Sequence, residues 1–169
     1  MIVHAYGLFW RADEIDWHPG RGARGKFRLL GRKGKYLPIL KIGDFREQKG
    51  IYILYGNLGA HYIGLTRKQT IGTRLKQHLT DDLQGMWDRF SWFGFRAVLD
   101  RIDENGFKKL KDMPNHHLVD PNKVIADIEA LLIKSMAVRN KSQMNFSAAE
   151  EWEQIRLDEI EEYTRKLDV

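Results

Sequence analysis

The 169-residue chain contains no cysteine. That excludes disulfides and thiolate metal sites, and it is compatible with a reducing cytoplasm, the expected location. No apolar run approaches the ~18 residues needed to cross a membrane, so no membrane partner is expected. The first residues, MIVHAYGLFWRADE, lack the basic start and long apolar core of a secretory signal. No helix-turn-helix or zinc-finger spacing is present to read bases. What remains is 43% hydrophobic and 30% charged, the composition of one globular domain with appendages.

Acidic residues are missing where cations gather. Between residues 21 and 35 stand Arg21, Arg24, Lys26, Arg28, Arg32, Lys33 and Lys35, with no Asp or Glu among them. The interleaved glycines argue for loops and hairpin turns. Such a stretch is either a solvated basic hairpin or a contact for a phosphate backbone, and Arg24, Arg28, Arg32 and Lys33 are its candidate contacts. Net charge is +5 with an isoelectric point near 9.4. Residues 147–169 carry eight acidic against three basic groups, so the rest of the chain is more basic than the total suggests. This asymmetry points to a polyanionic partner.

Gly50 to His78 reads GIYILYGNLGAHYIGLTRKQTIGTRLKQH. Ile51–Tyr55 and Ala60–Leu65 are rich in β-branched and aromatic residues and flank a Gly-Asn-Leu-Gly turn, which predicts a hairpin. Thr66 or Thr70 can cap a following helix, in which Ile71, Leu75 and Leu79 recur at helical spacing. Arg74 and His78, four residues apart, share one edge of that helix. A hairpin carrying Tyr52 and Tyr62 therefore leads into a helix that presents Arg and His.

Gly50-Ile51-Tyr52 and Tyr62-Ile63-Gly64, followed by Arg74 and His78, resemble the GIY-YIG endonuclease family over about Lys49 to Asn145. The resemblance implies an α+β fold: a small three-stranded antiparallel sheet near 50–56, 60–65 and 93–99, flanked by helices near 70–81 and 121–138. The expected organisation is a basic β-rich extension over residues 1–48, a nuclease domain over 49–146 and an acidic amphipathic helix over 147–169. Within the extension, residues 2–10, 27–30 and 36–42 read as strands. Trp87, Phe90, Trp92 and Phe93 read as core, and a short helical turn is expected near 107–111. His116-His117 lack the spacing of a metal pair and read as loop.

Asp120-Pro121 is a strong helix start. Val124, Ile125, Ile128, Leu131, Leu132 and Met136 give the helix a wide apolar face. Glu129 stands among apolar neighbours and needs a partner, either an arginine or a metal. The resemblance favours the metal and makes Glu129 the family's essential carboxylate. It also implies an Asn after that Glu, which Asn145 or Asn140 matches.

The implied reaction is metal-dependent hydrolysis of DNA phosphodiester bonds. Glu129 would hold Mg²⁺ or Mn²⁺, Arg74 and Arg67 would bind phosphate, and a tyrosine, Tyr52 in preference to Tyr62, would take the proton of water. His78 would bind phosphate or move a proton. A free phenol has pKa near 10, so that role needs neighbouring cations. The competing readings are a non-catalytic DNA-binding or interaction module, in which Glu129 pairs with Arg74, and a nuclease for RNA or branched DNA. The terminal helix is a candidate contact for a second copy or a partner protein.

Overall fold

A computed structural model of the chain describes residues 2–20, 26–66, 68–112, 121–136 and 149–166. The strands are β1 (Ala5–Arg11), β2 (Leu30–Lys33), β3 (Lys41–Asp44), β4 (Gly50–Gly56), β5 (Gly59–Leu65), β6 (Arg89–Gly94), β7 (Val98–Ile102), β8 (Lys108–Leu110), β9 (Glu150–Glu151) and β10 (Glu153–Gln154). The helices are α1 (Ile71–Gln77), α2 (Pro121–Ser135) and α3 (Ile160–Arg165).

The strands form two five-stranded mixed sheets, ordered β5-β4-β6-β1-β9 and β10-β2-β3-β8-β7. The expected three-stranded sheet flanked by helices is therefore wrong: the described chain is mostly β, and its three helices are short. Three physical causes account for the difference. First, β6 lies over residues 89–94, not 93–99, because Phe90 and Trp92 alternate with Ser91 and Phe93 to fill both faces. Its second edge would be an open ladder, and β1 takes it in antiparallel register, Tyr6 opposite Phe93. Second, the expected helical turn near 107–111 is strand β8, captured beside β3 and β7. Third, the acidic segment does not form one helix.

That segment pairs first with β1 and then with β2, passing from one sheet to the other at the buried Trp152. Trp152 packs edge-on against Phe45, with ring centroids 4.9 Å apart. Side-chain pairing adds to the ladder: Lys33 meets Glu150 at 2.5 Å, and Arg32 meets Glu153 at 3.2 Å and Glu159 at 2.9 Å. Strand pairing and one large aromatic thus override local helical spacing, and among the described residues of the segment the α-helix is confined to Ile160–Arg165, after a 3-10 turn over Leu157–Glu159.

The strand β4 is apolar on both faces because both are covered. Tyr52 and Leu54 join Phe90, Trp92, Trp10, Phe45 and Trp152 in the main core, where α1 inserts Ile71 and Leu75. Ile53 and Tyr55 join Phe93, Val3 and Tyr6 on the opposite face, where α2 inserts Ala130 and Leu131. The apolar face expected of α2 is only partly used: Leu131 is buried, whereas Ile128, Leu132 and Met136 are about half exposed or more. In its place the buried Asp127 accepts the backbone N–H of Ile2 at 2.6 Å and of Val3 at 3.4 Å. A buried carboxylate satisfied by main-chain donors ties the start of the chain to α2.

Candidate active site

The hairpin register sets the site. Tyr52 faces Gly64, and Leu54 faces Tyr62, so both tyrosines project from the same face of adjacent strands. Their ring centroids are 6.1 Å apart. Gly64 is required by close approach: a Cβ there would collide with the hydroxyl end of Tyr52. Gly50 is required by its φ of +154° and by the Phe93 carbonyl, which occupies the place of its side chain. The buried Thr66 hydroxyl accepts from the Gly50 N–H at 2.7 Å and donates to its carbonyl at 3.2 Å. The glycines of both triplets thus let the sheet close around one phenol.

Helix α1 is fixed against this face at its start and along its length. Thr70 caps it, accepting from Thr73 N–H at 3.3 Å. Ile71 N–H donates to the Gln48 carbonyl at 2.8 Å and Gly72 N–H to the Arg46 carbonyl at 3.0 Å, which satisfies otherwise orphaned donors. Buried Ile71 and Leu75 hold one side, leaving Arg74 and His78 to meet the tyrosines.

His78 is 2% exposed and Tyr52 is fully enclosed. The Tyr52 hydroxyl lies 2.8 Å from His78 Nε2, and His78 Nδ1 lies 2.7 Å from Asp81 Oδ2. Asp81 Oδ1 accepts the Leu83 N–H at 2.9 Å. That bond and the one from His78 hold the Asp81 carboxyl below its ordinary range. Arg74 Nε donates to the Tyr52 oxygen at 3.4 Å, and Nη1 donates to Gln77 Oε1 at 2.8 Å. Burial raises the Tyr52 phenol above its usual pKa, and the Arg74 guanidinium opposes that shift without cancelling it. Tyr62 is half-buried, edge-on to His78 with ring centroids 5.2 Å apart, and it neighbours both Tyr52 and Arg74. Among the described residues no carboxylate pairs with Arg74. A half-buried guanidinium beside two phenols and an imidazole can receive an anion and move a proton.

Four residues expected at the site, Tyr52, Tyr62, Arg74 and His78, are therefore together. Arg67, Arg24, Asn145, its competitor Asn140 and the His116-His117 pair lie outside the described residues. Arg28 lies over the Phe107 ring at 4.5 Å, and Arg32 and Lys33 are engaged by the acidic C-terminal strands. Asp81 and Gln77 were not anticipated. Each stands three residues after the group it binds, a helical-face spacing that reads directly from the sequence once His78 and Arg74 are placed there.

Glu129 belongs to α2, and its side chain lies outside the described residues. Helix α2 packs on the Ile53–Tyr55 face of the sheet, whereas the cluster occupies the Tyr52 face. Beside Tyr52 the described carboxylate is Asp81, whose two oxygens already accept from His78 and Leu83. Among the described residues no group of three or more His, Asp or Glu gathers. The described side chains at the cluster do not make up a site for the Mg²⁺ or Mn²⁺ that the resemblance implies.

Comparison with protein-family models, with curated proteins and with solved structures finds no match to the chain.

Proposed function

We propose that the Tyr52 cluster is the active site of an endonuclease that hydrolyses phosphodiester bonds, with DNA as substrate. One observation carries this reading: Arg74, without a carboxylate partner among the described residues, is held against two phenols and a buried histidine. Phosphoryl transfer asks for two things at such a place, a fixed cation for the phosphate oxygens and an acceptor for the proton of water. Arg74 supplies the first through its planar fork. The tyrosines and His78 supply the second. The resemblance of the two triplets to the GIY-YIG endonucleases supports the same reading, and the basic excess of the first 146 residues suits a polyanionic substrate.

The resemblance alone implies a divalent ion held by Glu129. The burial of Tyr52 favours a second reading, a phosphate-binding module without catalysis. Purified protein incubated with supercoiled plasmid, branched DNA, single-stranded DNA and RNA, each with and without Mg²⁺, separates the two. A nuclease nicks at least the plasmid, and Arg74→Ala slows the nicking about 10²–10³-fold. Binding of every substrate with cleavage of none contradicts the nuclease reading and leaves the binding module.

A further inference from the structure

The tyrosine cluster has a direction. Asp81 is ionised at neutral pH and can only accept, so His78 Nδ1 must carry hydrogen. In its neutral form the ring then has a bare Nε2, which can only accept, and the Tyr52 hydroxyl donates to it. The Tyr52 oxygen is left with its lone pairs for Arg74 and for the neighbouring Tyr62, whose ring centroid lies 6.1 Å from its own. Each hydrogen of the chain points inward, toward Asp81, and the acceptor capacity faces outward, toward the half-buried Tyr62.

We propose that His78, oriented by Asp81, is the terminal proton acceptor of the site, reached through Tyr52, and that Asp81 is the positioning residue that makes it so. This rests on the nuclease reading for its reaction but not for its geometry. When water attacks phosphorus, its O–H bond breaks and the proton passes to the Tyr62 oxygen. Tyr62 passes its own proton to the Tyr52 oxygen, and Tyr52 passes its own to His78 Nε2. The electron pair left on the water oxygen forms the new P–O bond. The leaving oxygen departs with the pair of the broken P–O bond and takes a proton from solvent. Both phenols end neutral, and the charge gained resides on an imidazolium paired with Asp81.

This arrangement removes the difficulty of a phenol base. A free phenol gives up its proton near pH 10, far above the working range. An imidazole has a reference value near 6.5 and suits general-base work at neutral pH. The groups that face the ring are Tyr52 from β4, Tyr62 from β5, Arg74 from α1, and Asp81 just beyond α1. The His78 carbonyl accepts from Trp87 Nε1 at 3.2 Å, which fixes the backbone behind the ring.

The test joins a spectroscopic readout to kinetics. Long-range ¹H–¹⁵N NMR of the labelled full-length protein, with His78 assigned by its loss in His78→Gln, reports which ring nitrogen carries hydrogen. The expected result is the Nδ1–H form in the wild type and the Nε2–H form in Asp81→Asn. On plasmid substrate Asp81→Asn should lose about 10²-fold in kcat with KM unchanged, and Asp81→Glu should recover part of that loss. Melting temperature should stay near wild type in both variants, since the Asp81 side chain lies at the surface, 40% exposed. An Nε2–H ring in the wild type overturns the proposal, as does an Asp81→Asn protein with altered tautomer and an unchanged kcat. A wild type that cuts nothing defeats the nuclease reading instead, and the tautomer then decides the geometry alone.

Discussion

Tyr52 and Tyr55 stand three residues apart on one strand, both buried, both with a bonded hydroxyl, on opposite faces of one sheet. Tyr55 donates to the Ser135 carbonyl at 3.0 Å and pins α2 to the sheet. It packs with Phe9, Ile53 and Phe93, and burial raises its pKa against the opposing effect of the Ser91 hydroxyl. Tyr52 meets an imidazole and a guanidinium at the same place in its own side chain. Burial and a satisfied hydroxyl therefore do not separate a structural tyrosine from a functional one. What separates them is whether the partner can change its proton or charge. A backbone carbonyl can do neither, and His78 can do both.

That contrast gives a graded set of expectations. Arg74→Ala should act on the reaction and not the fold: cleavage falls about 10²–10³-fold, with a melting temperature close to wild type. Arg74→Lys should recover little of it, because an ammonium cannot form the planar fork. Trp152→Ala probes the same core that holds Tyr52 without altering a group of the cluster. It should cost about 3–5 kcal/mol in denaturant unfolding, with the surviving folded fraction cutting at the wild-type rate per molecule. Gly64→Ala pushes a methyl against the Tyr52 hydroxyl. It should cost about 1–3 kcal/mol, together with a loss of cleavage larger than the folded fraction explains.

Tyr55→Phe leaves the Ser135 carbonyl without its donor and should cost about 1 kcal/mol, with no change in cleavage. The smallest effect concerns acid. The Asp81 carboxyl is held low in the folded chain by Leu83 N–H and by His78. A depressed carboxyl contributes stability above its unfolded pKa, near 3.9, and that contribution is lost as pH falls through the folded value. Asp81→Asn should therefore melt closer to the wild type at the acid end than at pH 7, as followed by thermal scans across that range.

The site was more legible than the fold, and the reason is range. Tyr52, Tyr62, Arg74 and His78 lie within 27 residues of each other, on a hairpin and the helix after it. Their meeting depends on local spacing and on one turn, which the sequence states directly. The sheet around them is assembled from distant pieces. β1 closes the edge of β6 across some eighty residues, and β9 and β10 arrive from the C-terminal end. The acidic C-terminal stretch shows the limit best. Trp152, Ile155, Ile160 and Tyr163 are spaced for a helix, and these side chains are buried or packed on the core. Burial was legible there, but conformation was not, because open strand edges and the cations Arg32 and Lys33 decide it. On α2, apolar spacing marked Ile128 and Leu132 for the interior, yet both are about half exposed. The helix turns inward instead on Asp127, whose main-chain partners Ile2 and Val3 no helical periodicity announces.

The most direct measurement is the plasmid nicking rate of Tyr52→Phe set beside that of Tyr55→Phe, each divided by its folded fraction. Both substitutions remove one buried hydroxyl from the same strand. If the Tyr52 cluster carries the reaction, Tyr52→Phe should nick about 10²–10⁴-fold more slowly than wild type, and Tyr55→Phe should match wild type. Equal rates in the two variants would contradict the assignment of catalysis to the Tyr52 face.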